Sequence, residues 1–398
     1  MIPETEPVPR PTGSRRLPVG VYVLSFSLFA MGTAEFLLAG VLPAVAADLD
    51  VTLSSAGFLI TAFALGVVVG GPPFAVLSLR WPRRTALLAT QVVFALSIVA
   101  GLLGGYEVLL LTRVISGVAY AGFFAVASVT AIGLVTPDRN ARASGVVVSG
   151  LSVAMVVGGP AGTLLSHFVD WRGGFWAVVV LTVAGAVGCV LRLPADSGTG
   201  RSVEPAVSRE FAAMRRPALW GIYAITILTT AAYMITFNFL AALLADVTAV
   251  PGVWIPAILA LFGIGAFVGL SVGGRVSDRR PHLALLAGTS AIVILSVVMV
   301  AAIQQVWAVV PAVFLIGVAA FVPNPALYGR VFTIASDAPT LAGATTVSAF
   351  QLGISITPVL AAVSLTQGAP LVSVGWIGTA LAAAAVPLIL LDRARSSR

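Results

Sequence analysis

The sequence predicts an all-α membrane protein of twelve transmembrane helices, arranged as two pseudo-symmetric six-helix bundles around a central cavity. Three observations carry this. The 398 residues are 59% hydrophobic and only 9% charged, with a mean hydropathy of +1.06. Soluble domains are about 25% charged, so a chain this apolar could not cover itself with a solvated surface. Apolar stretches of about 20 residues, the length that crosses a bilayer, recur from Pro18 onward. A single long polar interruption, 193–216, falls midway.

Residues 1–17, with Pro3, Pro7, Pro9, Pro11, Arg10, Arg15 and Arg16, read as a disordered cytoplasmic arm. The apolar run 18–42 is too long for a signal-peptide core and has no small-residue cleavage site, so it reads as a retained first helix. Helices follow at 54–79, 84–104, 106–134, 141–168 and 173–192, completing an N-terminal bundle over 18–192. Residues 193–216 form a cytoplasmic linker. The C-terminal bundle, 217–391, holds helices at 217–246, 253–274, 282–303, 306–329, 341–366 and 370–391, and 392–398 is a cytoplasmic tail.

Arginine alone orients the chain. All 22 basic residues are arginine, and with the N-terminus inside, twenty fall in cytoplasmic segments. Arg172 falls outside and Arg113 lies within a helix. This bias places both termini in the cytoplasm. It also accounts for the net charge of +7 without a nucleic-acid partner. The absence of lysine excludes a lysine-bearing phosphate loop and Schiff-base chemistry. One cysteine, Cys189, excludes an internal disulfide; His167 and His282 are far apart and read as interfacial residues. No metal and no cofactor is expected.

Glu35 is the one acidic residue deep in a predicted helix. A carboxylate in hydrocarbon costs at least a few kcal/mol, so it must face a cavity, find a cation or hold a proton. Arg113 is the one arginine within a helix. Counting at 1.5 Å per residue puts Glu35 about 12 Å and Arg113 about 10 Å from the outer helix ends. The two are therefore expected to share one electrostatic neighbourhood, paired directly or through water. Burial and a nearby guanidinium act on a carboxyl group in opposite senses, so local geometry decides its proton occupancy. The structural alternative has Arg113 bonding backbone carbonyls and fixing helix packing.

Polar stripes follow. Thr226, Thr229, Thr230, Tyr233 and Thr236 recur at helical spacing in the seventh helix, with Asn238 just off that face; Thr345, Ser348, Gln351 and Ser355 do so in the eleventh. Arg113, Ser116, Gly117, Tyr120 and Phe124 share a face of the fourth. Uncharged hydrogen-bonding groups suit a neutral ligand. Tyr120, Tyr233, Asn238, Asn324 and Gln351 are the substrate-binding candidates, and single Thr or Ser hydroxyls read as packing. Gly66 and Gly70, and Gly265, Gly269 and Gly273, repeat every fourth residue and let backbones approach. Gly158-Gly159-Pro160-Ala161-Gly162 and Pro323-Asn324-Pro325 should bend their helices.

This pattern resembles the major facilitator superfamily. The loop after the eighth helix keeps that family's Gly274, Asp278, Arg279 and Arg280. The loop after the second keeps Arg80, Arg83 and Arg84 but has Leu79 where the Asp is expected. Arg113-Val114-Ile115-Ser116-Gly117 resembles the fourth-helix motif whose arginine is linked to proton transfer. Gly159-Pro160 resembles the fifth-helix motif of antiporters, with Met155 and Thr163 replacing glycines often seen there. Asp170-Trp171-Arg172-Gly173-Gly174-Phe175-Trp176 resembles the common lead-in to the sixth helix. The resemblance thus implies proton coupling at Glu35 and Arg113, and gating roles for Gly159, Pro160, Asp278, Arg279 and Arg83.

More specific are Gly32-Thr33-Ala34-Glu35-Phe36, Gly40-Val41-Leu42-Pro43, Arg80-Trp81-Pro82-Arg83-Arg84 and Val253-Trp254-Ile255-Pro256. With these the chain is similar to actinobacterial chloramphenicol-resistance exporters of the drug:proton antiporter group. That implies a monomer exporting a small neutral drug in exchange for protons. An exporter of a sugar or other endogenous metabolite is the alternative. A membrane enzyme or receptor would need a nucleophile–base pair, a metal cluster or a sizeable soluble domain, none of which the sequence offers.

Overall fold

The structure, a computed structural model, describes residues 17–77, 81–136, 139–194, 214–336 and 339–396. The expected N-terminal arm up to residue 16, most of the linker (195–213) and Arg80 lie outside the described residues. Among the described residues the regular secondary structure is helical, and twelve helices are long and apolar enough to cross a membrane. They are, in order, Val19–Asp48, Leu53–Gly71, Arg83–Leu103, Tyr106–Gly133, Arg142–Ser166, Trp171–Arg192, Pro217–Val247, Gly252–Ser277, Pro281–Ala301, Val306–Ile334, Thr345–Thr366 and Ser373–Ser396.

Helix ends differ from expectation where proline or its absence misleads. The first helix runs on through Pro43 to Asp48. A proline removes one hydrogen bond, but in hydrocarbon leaving the helix would orphan several, so the helix continues. The twelfth continues to Ser396 because no breaker stands between Leu390 and Arg395, and Arg393 and Arg395 complement the helix dipole in its last turn. The tenth is interrupted: one helix ends at Phe321 and the next starts at Asn324, with Pro325 second in it. In the fifth, Ala154–Gly158 widens into a π-helical turn just before Gly159-Pro160. Both interruptions fall on the proline motifs expected to bend their helices.

The two halves pack by one plan. In the first, spans one and five, one and six, two and four, three and four, and three and six are neighbours. In the second, the neighbours are seven and eleven, seven and twelve, eight and ten, nine and ten, and nine and twelve. These are the same five pairings moved six helices along. The closest approaches repeat as well. A Cβ on Gly117 would stand 2.1 Å from the Phe63 carbonyl oxygen, and one on Gly66 2.2 Å from that of Val114. In the second half, a Cβ on Gly265, Gly269 or Gly273 would meet the carbonyls of Phe314, Val318 and Val322 at 2.2–2.3 Å. Backbone lies directly on backbone, the packing that small residues every fourth position allow.

Gly117→Ala is accordingly expected to destabilise the protein by about 3 kcal/mol or more, since the clash is with backbone that cannot rotate away. Gly145→Ala, where nothing stands within 4 Å of the new methyl, should be neutral or slightly stabilising through helix propensity. Thermal unfolding of the two purified variants checks the contrast.

Short polar clusters tie the ends. Arg172 bonds Asp48 at 2.7 Å and Asp170 at 3.4 Å at the end opposite the termini, and its guanidinium lies 4.4 Å from the Trp171 ring. At the other end Asp392 accepts from Arg330 at 2.8 and 3.1 Å and contacts His282 Nε2 at 3.0 Å, joining spans nine, ten and twelve. His282, read from sequence as an ordinary interfacial residue, is thus one corner of an ion cluster. His167 has a side chain outside the described set.

The halves meet chiefly through spans two and eleven and spans five and eight. Gly57 faces Pro358 and Phe239, and the Thr61 hydroxyl donates to the Ser355 carbonyl at 2.9 Å. Gly40 faces Leu259, and Gly263 lies against Met155 and Val156. These contacts occupy the half of the molecule away from the termini. Toward the termini, Gly71, Gly145 and Gly329 face open space. The contacts described between the halves thus gather toward the end opposite the termini.

Candidate functional site

The contacts across the halves include Glu35. It sits in the body of the first span, thirteen residues or about 20 Å from Asp48. That is deeper than the count from a helix end at Leu42 suggested. Four glycines let the fifth span press on this stretch: Gly158 against Thr33, Gly159 against Phe36, Gly162 against Leu37, and Gly32 against Leu151. Glu35 keeps partial access although it lies far from both helix ends, so it borders interior space between the halves. Its Oε1 accepts a hydrogen bond from Gln351 Nε2 of the eleventh span at 3.3 Å. The other amide atom, Gln351 Oε1, is buried without a partner.

Arg113 is buried immediately behind. Its Nη1 donates to the Ala34 carbonyl at 3.5 Å and its Nε to the Leu59 carbonyl at 3.4 Å, while the guanidinium lies 4.5 Å from the Phe63 ring. The Ala34 carbonyl belongs to the residue next to Glu35, so the two charged groups share a neighbourhood. Among the described residues they form no ion pair within 4.0 Å, and the backbone-bonding geometry raised as the structural alternative is the one present. The unequal residue counts show that the neighbourhood arises from how the helices are offset, not from equal depth along them. Two long hydrogen bonds and a ring face thus hold the guanidinium in place.

The other sequence candidates divide. Asn238 donates to Thr357 at 2.8 Å within the second half and is buried. Tyr120 is buried with its ring 5.6 Å from that of Phe63. Tyr233 is wedged between Phe321 at 5.5 Å and Phe262 at 6.5 Å. Asn324 is part-exposed at the start of the second helix of the broken tenth span. That break frees backbone groups inside the protein, as the interrupted helices of transporters do. Thr226 and Thr229 return their hydroxyls to the Ile222 and Ile225 carbonyls, which makes these two packing residues, whereas the buried Thr230 and Thr236 hydroxyl oxygens have no partner.

Of the motif residues, Gly159 and Pro160 start the helix after the π-helical turn beside Phe36. The Arg83 guanidinium lies over Gly133 at the end of the fourth span. Asp278 and Arg279 are exposed at the end of the eighth.

Sequence reasoning missed the aromatic wall. Phe36 meets Phe237 across the halves at 6.3 Å, Phe237 meets Phe262 at 4.7 Å, and Tyr328 stacks on Phe350 at 5.5 Å. Tyr328 and Phe332, one helical turn apart and stacked at 6.4 Å, were the available signal. The site thus combines one carboxyl group, two uncharged amides and an aromatic surface.

The Major Facilitator Superfamily model matches residues 24–358. The sequence is 39% identical over 352 residues, 88% of this chain and 90% of the relative, to a chloramphenicol resistance protein of Streptomyces lividans. It is 28% identical over 380 residues, 91% of this chain and 92% of the relative, to a chloramphenicol efflux pump of Mycobacterium tuberculosis. Among solved structures, the nucleoside transporter NupG matches with a TM-score of 0.76 at 13% identity, over 94% of this chain and 99% of that one. That last likeness is one of fold.

Proposed function

Because this chain belongs to the Major Facilitator Superfamily, and is therefore a multi-pass membrane transporter and not an enzyme, we propose that it exports small neutral amphipathic drugs, chloramphenicol first, in exchange for protons. The observation that carries the proton coupling is the place of Glu35. Among the described residues Glu35 is the one carboxyl group deep within a span, and it is hydrogen-bonded across the halves to Gln351. An ionisable group inside a membrane needs a functional reason to be there, and one exposed alternately to two sides meets the requirement of exchange.

The end that carries the arginine-rich loops is assigned to the cytoplasm of a bacterial inner membrane, with both termini inside. In the cytoplasm-open conformation drug enters from the cytoplasm and Glu35 releases its proton there. Opening to the other side reverses both steps. Tyr328 and Phe350 offer a stacking surface for an aromatic ring, and Asn324 and Gln351 offer hydrogen bonds to hydroxyl and amide groups. The likeness to chloramphenicol-resistance relatives supports that drug over a sugar or other metabolite. The working unit is a monomer.

Expression in a bacterial host lacking its own drug pumps tests this. Growth in chloramphenicol should rise and intracellular drug should fall, and an uncoupler should erase both effects. Good expression without resistance would move the assignment to another substrate.

A further inference from the structure

We propose that Gln351 is the residue that reports the proton on Glu35 to the other half of the protein, a reading that rests on the proton-coupled function above. Three observations carry it. The Gln351–Glu35 bond joins side chains of opposite halves, 316 residues apart in sequence. It lies about one helical turn nearer the termini than Thr61–Ser355 and Gly57–Pro358, so it extends that cross-half interface toward the middle of the protein. Gln351 Oε1 is buried and has no partner.

The chemistry follows from donors and acceptors. A carboxylate only accepts, so it engages the Gln351 N–H group and leaves the amide oxygen orphaned. A protonated carboxyl group both donates and accepts. It can form a paired acid–amide contact, O–H to the amide oxygen and amide N–H to the carboxyl oxygen, that satisfies both ends of Gln351. A proton on Glu35 thus adds a bond across the halves, ends an unsatisfied buried acceptor and removes a charge from the interface. Each effect favours the conformation closed on the far side and open at the termini.

The ionisable groups that face Glu35 are Arg113 and Tyr120 of the fourth span and Tyr233 of the seventh. The second and eleventh spans contain no ionisable residue. The sign suits exchange: the protonated, drug-free carrier returns to the cytoplasm-open state, and loss of the proton there loosens the closure.

Spin labels on Thr136→Cys and Ser336→Cys, both exposed beyond the termini-side ends of the fourth and tenth spans, read the opening by pulsed electron resonance in lipid nanodiscs. Without drug, acidification should raise the ratio of cytoplasm-open to far-side-open protein by about tenfold, the worth of one hydrogen bond to an otherwise unsatisfied group. Gln351→Leu should remove most of that response, leaving only the part owed to the lost charge. In Glu35→Gln, where two amides can still make both bonds, the cytoplasm-open state should dominate at every pH.

A Gln351→Leu response equal to that of the parent overturns the proposal and leaves proton coupling standing, since a residue that only lines the drug site would alter drug affinity alone. A Glu35→Gln protein that favours the far-side-open state overturns it independently. A parent protein indifferent to pH defeats the proton-coupled reading, and this inference with it.

Discussion

Glu35→Gln should bind drug and fold normally while proton-driven export falls by at least about 100-fold, the lower end of what a positioned proton-transfer group contributes. Glutamine has the shape of the carboxyl group it replaces and can still bond Gln351, so the cross-half contact at 3.3 Å survives. It also carries no charge to desolvate, so the unfolding temperature should be unchanged or slightly raised. What disappears is the exchangeable proton. Drug uptake into inverted membrane vesicles under an imposed proton gradient measures the loss, and direct drug binding to purified protein shows that the site remains. Undiminished gradient-driven uptake by this variant would remove Glu35 as the carrier.

Arg113→Met should separate a coupling role from a packing one. The arginine is buried, holds two carbonyls at 3.4 and 3.5 Å and lies over Phe63. Replacing a poorly paired buried cation by an apolar chain of similar length is neutral or stabilising in many proteins, because the desolvation cost goes with it. The methionine variant should therefore be made and unfold much as the parent does. Export per folded molecule should fall about tenfold or more, since an opposite charge a few Å away changes proton binding by a carboxyl group on that scale. Arginine as a mere packing element predicts the reverse: less folded protein, with undiminished export per molecule.

Much of this architecture is legible in the sequence because the bilayer is a demanding solvent. It fixes span length, so the twelve helices show as apolar runs. It makes an isolated acid expensive, so Glu35 stands out. Backbone contact between spans needs small residues, so Gly265, Gly269 and Gly273 announce a neighbour before that neighbour is known. What stays hidden is tertiary. Nothing near Gln351 in the chain indicates that its amide reaches Glu35, and nothing in Thr226 or Thr229 tells whether the hydroxyl serves a ligand or its own helix. Pro43 reads as an end because proline propensity is local, whereas the cost of leaving a helix in hydrocarbon is set by surroundings. The Asp392–Arg330–His282 cluster was missed for the same reason: its three members come from three spans.

The glycine-lined contacts between spans two and four, and between eight and ten, have an evolutionary corollary. Where a methyl group would collide with a neighbouring main chain, natural variation has almost no intermediate options, and changes there are purged. Asn324, Tyr328 and Phe350 carry no such restriction, because each is partly exposed. A lineage of these proteins can thus acquire a new cargo by exchanging a handful of cavity-facing residues while its two rigid frames stay as they were. Resistance to a chemically altered antibiotic should arise through that surface, in single steps, and not through the frames.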